Sequence, residues 1–111
     1  MENMEKTLQQ WRSEIDILDA ELLRLLNERA RIASELGALK VSSGLPVYDG
    51  RRERQVLARL LESNAGPLDR EGVSSIFRCI IRQSRRLESL QQHSGNKSQY
   101  RQSDQEYSHG H

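Results

Sequence analysis

From about Glu5 to Val41 the sequence keeps a helical rhythm with no proline, and its single glycine, Gly37, lies near the end. Apolar residues fall alternately three and four apart, at Leu8, Trp11, Ile15, Leu18, Leu22, Leu25, Ile32, Leu36 and Leu39. At about 1.5 Å per residue this is a rod of roughly 55 Å. A compact globule of about 100 residues has a radius of gyration of only ~13 Å. In a chain of 111 residues such a rod cannot cover its apolar stripe with the remaining sequence. A second chain is expected to cover part of it, which predicts an obligate dimer.

The rest of the chain divides at its glycines and prolines. Ser42-Ser43-Gly44-Leu45-Pro46 reads as a turn or loop. A second helix is expected from a cap at Asp49 through Val56, Leu57, Leu60 and Leu61 to about Ser63, where Asn64-Ala65-Gly66-Pro67 breaks it. Asp69 can cap a third helix through Val73, Ile76, Phe77, Ile80, Ile81, Ser84 and Leu87, fading near Gln92. Beyond His93 the sequence is polar and aperiodic, which predicts one folded domain over residues 1–92 and a disordered polar tail over 93–111. The expected fold class is all-α, with long, short and medium helices.

Hydrophobic residues make up 35% of the chain and aromatics 5%, so the core is aliphatic and thin for a monomer. Seventeen basic residues against sixteen acidic give a net charge of +1, so no overall field points to nucleic acid or anionic lipid, and recognition of charge must be local. The N-terminal stretch MENMEKTLQQWRSEID has no apolar run for a signal peptide or membrane span. The single cysteine, Cys79, fits a reducing compartment and reads as a small buried hydrophobe. A cytoplasmic location is expected. His93, His109 and His111 lack ligand spacing on a helix, so no metal is assigned.

Several polar residues interrupt the apolar faces. The position that the first helix's rhythm assigns between Leu25 and Ile32 is Arg29. A guanidinium there keeps its proton and, if buried, needs an anionic partner. Alternatively it fixes dimer register or snorkels to water. Lys40 follows eleven residues later on nearly the same face, or is a solvated residue suiting the helix end. Asp49, Arg52 and Glu53 share one face at the start of the second helix, or form a cap with a surface ion pair. On the third helix the apolar stripe continues as Ser84 and Glu88. Arg12 lies 17 residues before Arg29, about 100° around the same helix. The two cannot easily grasp one small ligand within a chain.

The segments LLRLLNERARIASELGALK, PVYDGRRER and IFRCIIRQSRRLE, together with Arg12, resemble the all-helical chorismate mutases in order and spacing over about residues 5–92. The resemblance implies an intertwined homodimer with two active sites. It also implies a cofactor-free Claisen rearrangement of chorismate to prephenate, a step of phenylalanine and tyrosine biosynthesis. By that resemblance, Arg29 and Arg12 of the partner chain clamp the two carboxylates, with Ser84 adding a hydrogen bond. Arg52 contributes positive potential, Asp49 and Glu53 hold the ring hydroxyl and order the loop, and Lys40 donates to the ether oxygen. Glu88 departs from the family's usual glutamine. To donate to the ether oxygen it must be protonated, and an apolar, substrate-filled site would favour that form. Two other readings fit parts of the pattern: an isochorismate pyruvate lyase of the same fold, and a non-catalytic coiled-coil dimerisation module. No regulatory domain is expected after residue 92.

Overall fold

The protein is described by a computed structural model that covers residues 5–97, with side chains described as far as Gln91. Three helices make up the described fold, with no strand among the described residues: α1 (Leu8–Ser43), α2 (Gly50–Ser63) and α3 (Arg70–Lys97). Helix α3 continues five residues past Gln92, through the first part of the segment expected as a tail. Residues 98–111, the rest of that segment, lie outside the described residues.

Each helix boundary has a local cause. Thr7 caps α1 by accepting from the Gln10 backbone N–H, and Gln10 returns the bond by accepting from the Thr7 N–H, at 3.1 and 2.7 Å. This reciprocal pair satisfies two of the helix's free donors and starts the helix at Leu8 rather than Glu5. Gly44 ends α1 at φ 71°, a left-handed conformation that a side chain disfavours. The Leu45 N–H then closes on the Lys40 carbonyl at 2.8 Å. The expected caps of α2 and α3 are both formed. Asp49 Oδ1 accepts from the Arg52 N–H at 3.0 Å, and Asp69 Oδ1 from the Gly72 N–H at 2.7 Å.

Helix α3 packs against both α1 and α2. On α1 the buried positions are Ala33 and Gly37. They belong to a line that starts on the leucine stripe at Arg29 and runs to Lys40. Small residues dictate this face, because they let the helix backbones approach. A Cβ at Gly37 would meet the Glu88 Cα at 2.7 Å and its carbonyl oxygen at 2.8 Å, so no other residue fits without moving α3. On α3 the buried residues include Val73, Ile81 and Glu88, and Glu88 lies directly against Gly37. The leucine stripe itself stays open in the single chain, with Trp11 53% and Leu18 61% exposed. The expected helix-three core is narrower than the sequence pattern: Ile76 is exposed. Cys79, expected to be buried, is exposed as well. Two residues before Ile81, it projects to roughly the opposite side of α3. Among the described residues no helix is long and apolar enough to cross a membrane.

Candidate functional site

The three helices enclose a cavity of about 240 Å³, open to solvent on one side. Its walls include Arg29 and Lys40 from α1, Asp49 from the α1–α2 connection, Arg52 and Glu53 from α2, and Ser84, Arg85 and Glu88 from α3. Ile32, Ala33, Leu36, Val47, Val56 and Ile81 supply the apolar remainder. Seven of the eight residues singled out in the sequence thus meet in one place. The exception is Arg12, which is exposed on α1 and does not line this cavity.

Helical register brings these groups together. Arg29, Ala33, Gly37 and Lys40 follow one line along α1, and the small residues between the two cations seat α3 against the helix. Arg29 Nη1 therefore reaches the Ser84 hydroxyl, to which it donates a hydrogen bond across the helix interface. No carboxylate pairs with Arg29 among the described residues, so most of its donors stay available to a ligand. At the other end of the line, the half-buried Lys40 ammonium donates to Glu88 Oε1 at 2.7 Å and to the Val47 carbonyl at 2.9 Å. Side-chain exposure is only 16% for Lys40 and 11% for Glu88. Two of the three ammonium N–H groups are used by the protein, and one remains.

On the acidic side of the cavity Asp49 serves as the expected α2 cap, whereas Arg52 donates to Gln55 at 3.1 Å and forms no ion pair with Glu53. Glu53 instead accepts two hydrogen bonds from Arg85 on α3. Arg85 Nη2 donates to Oε1 at 2.8 Å and Nε to Oε2 at 2.9 Å. Arg85 also lies over the Tyr48 ring, 4.9 Å from its centroid. Its hydrogen bonds to Glu53 raise the guanidinium's pKa above the ordinary arginine value, against the smaller opposing effect of burial. Sequence reasoning missed Arg85. A signal was available, since position 85 lies four residues after Ile81 and three before Glu88, on the stripe already assigned to the cavity.

The cavity carries four cationic side chains and three carboxylates, a formal excess of one positive charge with every group ionised. A charged wall with an apolar floor suits a compact anion with hydroxyl or ether oxygens. Among the described residues no group of three or more His, Cys, Asp or Glu is placed to hold a metal ion.

Residues 11–89 match the family described as chorismate mutase type II. A bifunctional chorismate mutase/prephenate dehydratase of Neisseria gonorrhoeae is 47% identical over 70 residues, which is 63% of this chain and 19% of that protein. One from Aquifex aeolicus is 40% identical over 78 residues, 67% of this chain and 22% of that protein. The chain therefore spans about a fifth of the length of these relatives. Among solved structures, chorismate mutase (form II) of Thermus thermophilus superposes with a TM-score of 0.74 at 40% identity, covering 76% of this chain and 96% of that one. A Helicobacter pylori chorismate mutase solved in complex with prephenate gives 0.69 at 31% identity, covering 76% and 91%.

Proposed function

The chain belongs to the chorismate mutase type II family, and from that membership we propose that it rearranges chorismate to prephenate in the cavity between its three helices. The observation that carries the reading is the spacing of unpaired and paired cations along α1. Arg29, without a carboxylate partner, stands at one end of the cavity, and Lys40, beside Glu88, stands at the other. This matches a substrate with carboxylates at its periphery and an ether oxygen that gains negative charge as its C–O bond breaks.

The reaction is intramolecular and needs no nucleophile. The protein has to hold the compact conformer and stabilise the developing charge. Arg29, steadied by Ser84, binds one carboxylate through the two-pronged geometry that a guanidinium provides. Arg52 adds positive potential, and Asp49 and Glu53 receive the ring hydroxyl. Lys40 donates its remaining N–H to the ether oxygen. Glu88 acts in its protonated form as a second donor, since a carboxylate there would repel both the dianion and the charge that forms. Without substrate, Lys40 neutralises Glu88. With substrate, the ether oxygen competes with Glu88 for the Lys40 ammonium.

In this reading the working molecule is an intertwined homodimer in the cytoplasm, and residues 1–92 form the catalytic domain. Support comes from the stripe Trp11, Ile15, Leu18 and Leu22, exposed along half of a helix about 54 Å long. A second α1 laid on that stripe carries Arg12 of the partner subunit toward the open side of the cavity. That cation raises the formal excess to two positive charges with every group ionised, and to three with Glu88 protonated, enough to balance the dianion. The test is loss of chorismate absorbance with prephenate identified as product, and isochorismate assayed in parallel. Pyruvate and salicylate from isochorismate, without prephenate from chorismate, would overturn the assignment.

A further inference from the structure

A second groove lies on the other side of the Glu53–Arg85 pair. It has a volume of about 300 Å³ and runs between α2 and α3, with Tyr48 at one end. Arg54 enters it from α2, and Arg78, Arg82 and Arg85 from successive turns of α3. Glu53 is its single acidic lining residue, and that carboxylate is already held by Arg85 at both oxygens. The side chains of Arg54, Arg78 and Arg82 have neither a hydrogen bond nor an ion pair among the described residues. Like charges three and four apart on one helix repel one another, so this row is unfavourable until an anion joins it. Leu57 and Ile81 give the groove an apolar floor. That combination forms a pocket for a small molecule.

We propose that this groove binds a small polyanion, a ligand with two or more carboxylate or phosphate groups, and that its occupancy is linked to the catalytic cavity through Arg85. Arginine suits such a ligand because its fork binds either group in two hydrogen bonds. Arg85 and Glu53 line both spaces. An anion among Arg54, Arg78 and Arg82 competes with Glu53 for the Arg85 guanidinium. As Arg85 turns toward the groove, Glu53 loses the clamp that fixes it over the cavity. The cavity also loses positive potential needed for a dianion. Both effects weaken substrate binding, so the anion raises the apparent KM. Linkage requires the substrate to weaken anion binding by the same factor.

Isothermal calorimetry of the 111-residue chain at constant ionic strength tests the site directly, with pyrophosphate in one arm and citrate in the other to separate phosphate from carboxylate ligands. The comparison protein carries Arg54→Gln, Arg78→Gln and Arg82→Gln, exposed helical positions where glutamine keeps a similar helix propensity. Circular dichroism and unchanged basal turnover confirm that this variant is folded. Saturable binding by the wild type, weakened about tenfold or more in the variant, is the expected result. Equal binding by both proteins would place the anion in the catalytic cavity and overturn the site, as would no saturation of the wild type. In the kinetic arm the tighter-binding anion raises the wild-type KM about fivefold and leaves that of the variant unchanged. An equal rise in both would overturn the link. The calorimetry reads the groove even if the proposed rearrangement fails.

Discussion

Gly37→Ala isolates the contact on which the geometry of the catalytic cavity depends. The added Cβ would lie 2.7 Å from the Glu88 Cα and 2.8 Å from its carbonyl oxygen. Carbon atoms rest at about 3.5–4.0 Å, so α1 and α3 must separate locally by roughly 1 Å. Overpacking of this kind costs about 1–3 kcal/mol. Alanine is a better helix former than glycine by about 1 kcal/mol, which leaves a net destabilisation of about 0–2 kcal/mol. Activity should suffer more than stability. The shift falls at Glu88 and one turn before Lys40, and a displacement of about 1 Å at a preorganised site can cost 10²-fold in rate. Urea unfolding at fixed protomer concentration, with kcat for chorismate, measures both effects. A variant stabilised by about 1 kcal/mol that turns over at the wild-type rate would refute the close approach of α3 to α1.

Other perturbations probe separate parts of the site. Glu88→Gln, whose amide donates without first having to be protonated, should turn chorismate over at least as fast as the wild type. Loss of activity in that variant would rule out Glu88 as a donor to the ether oxygen. Lys40→Ala leaves the buried Glu88 carboxylate without its partner, so chemical denaturation should show a loss of about 3 kcal/mol. Combining it with Glu88→Gln should recover part of that loss in a double-mutant cycle. Arg29→Ala should lower kcat/KM by about 10²–10³-fold while sedimentation shows an unchanged oligomeric state. If the proposed dimer forms through the exposed stripe, Leu18→Asp should shift sedimentation toward the monomer and abolish activity, because the proposed contribution of Arg12 from the partner subunit is then lost.

Much of the secondary structure was legible from local chemistry. Asp49 and Asp69 marked two helix starts, and Gly44 and the Asn64–Pro67 segment marked the breaks. The start of α1 shifted to Leu8 because the Thr7–Gln10 capping box outweighs the looser rhythm before it. The positions of Arg29, Lys40, Ser84 and Glu88 on the inward sides of their helices were also legible, since direction around a helix follows from residue number alone. The partners of Glu53 and the exposure of Cys79 were not, because each depends on how one helix is rotated and shifted against another.

The sequence alone determined three helices, their approximate ends and the faces that carry charge, all consequences of backbone capping and a period of 3.6 residues. Only the tertiary structure decided which polar groups meet: Arg29 with Ser84, Lys40 with Glu88, and Glu53 with Arg85. That choice rests on the small volumes of Ala33 and Gly37, which let α3 seat beside the leucine stripe of α1. The stripe is thereby left open and the charged line turned inward. Periodicity records direction about one helix axis. The depth at which two helices lock together is set by side-chain volume where they touch.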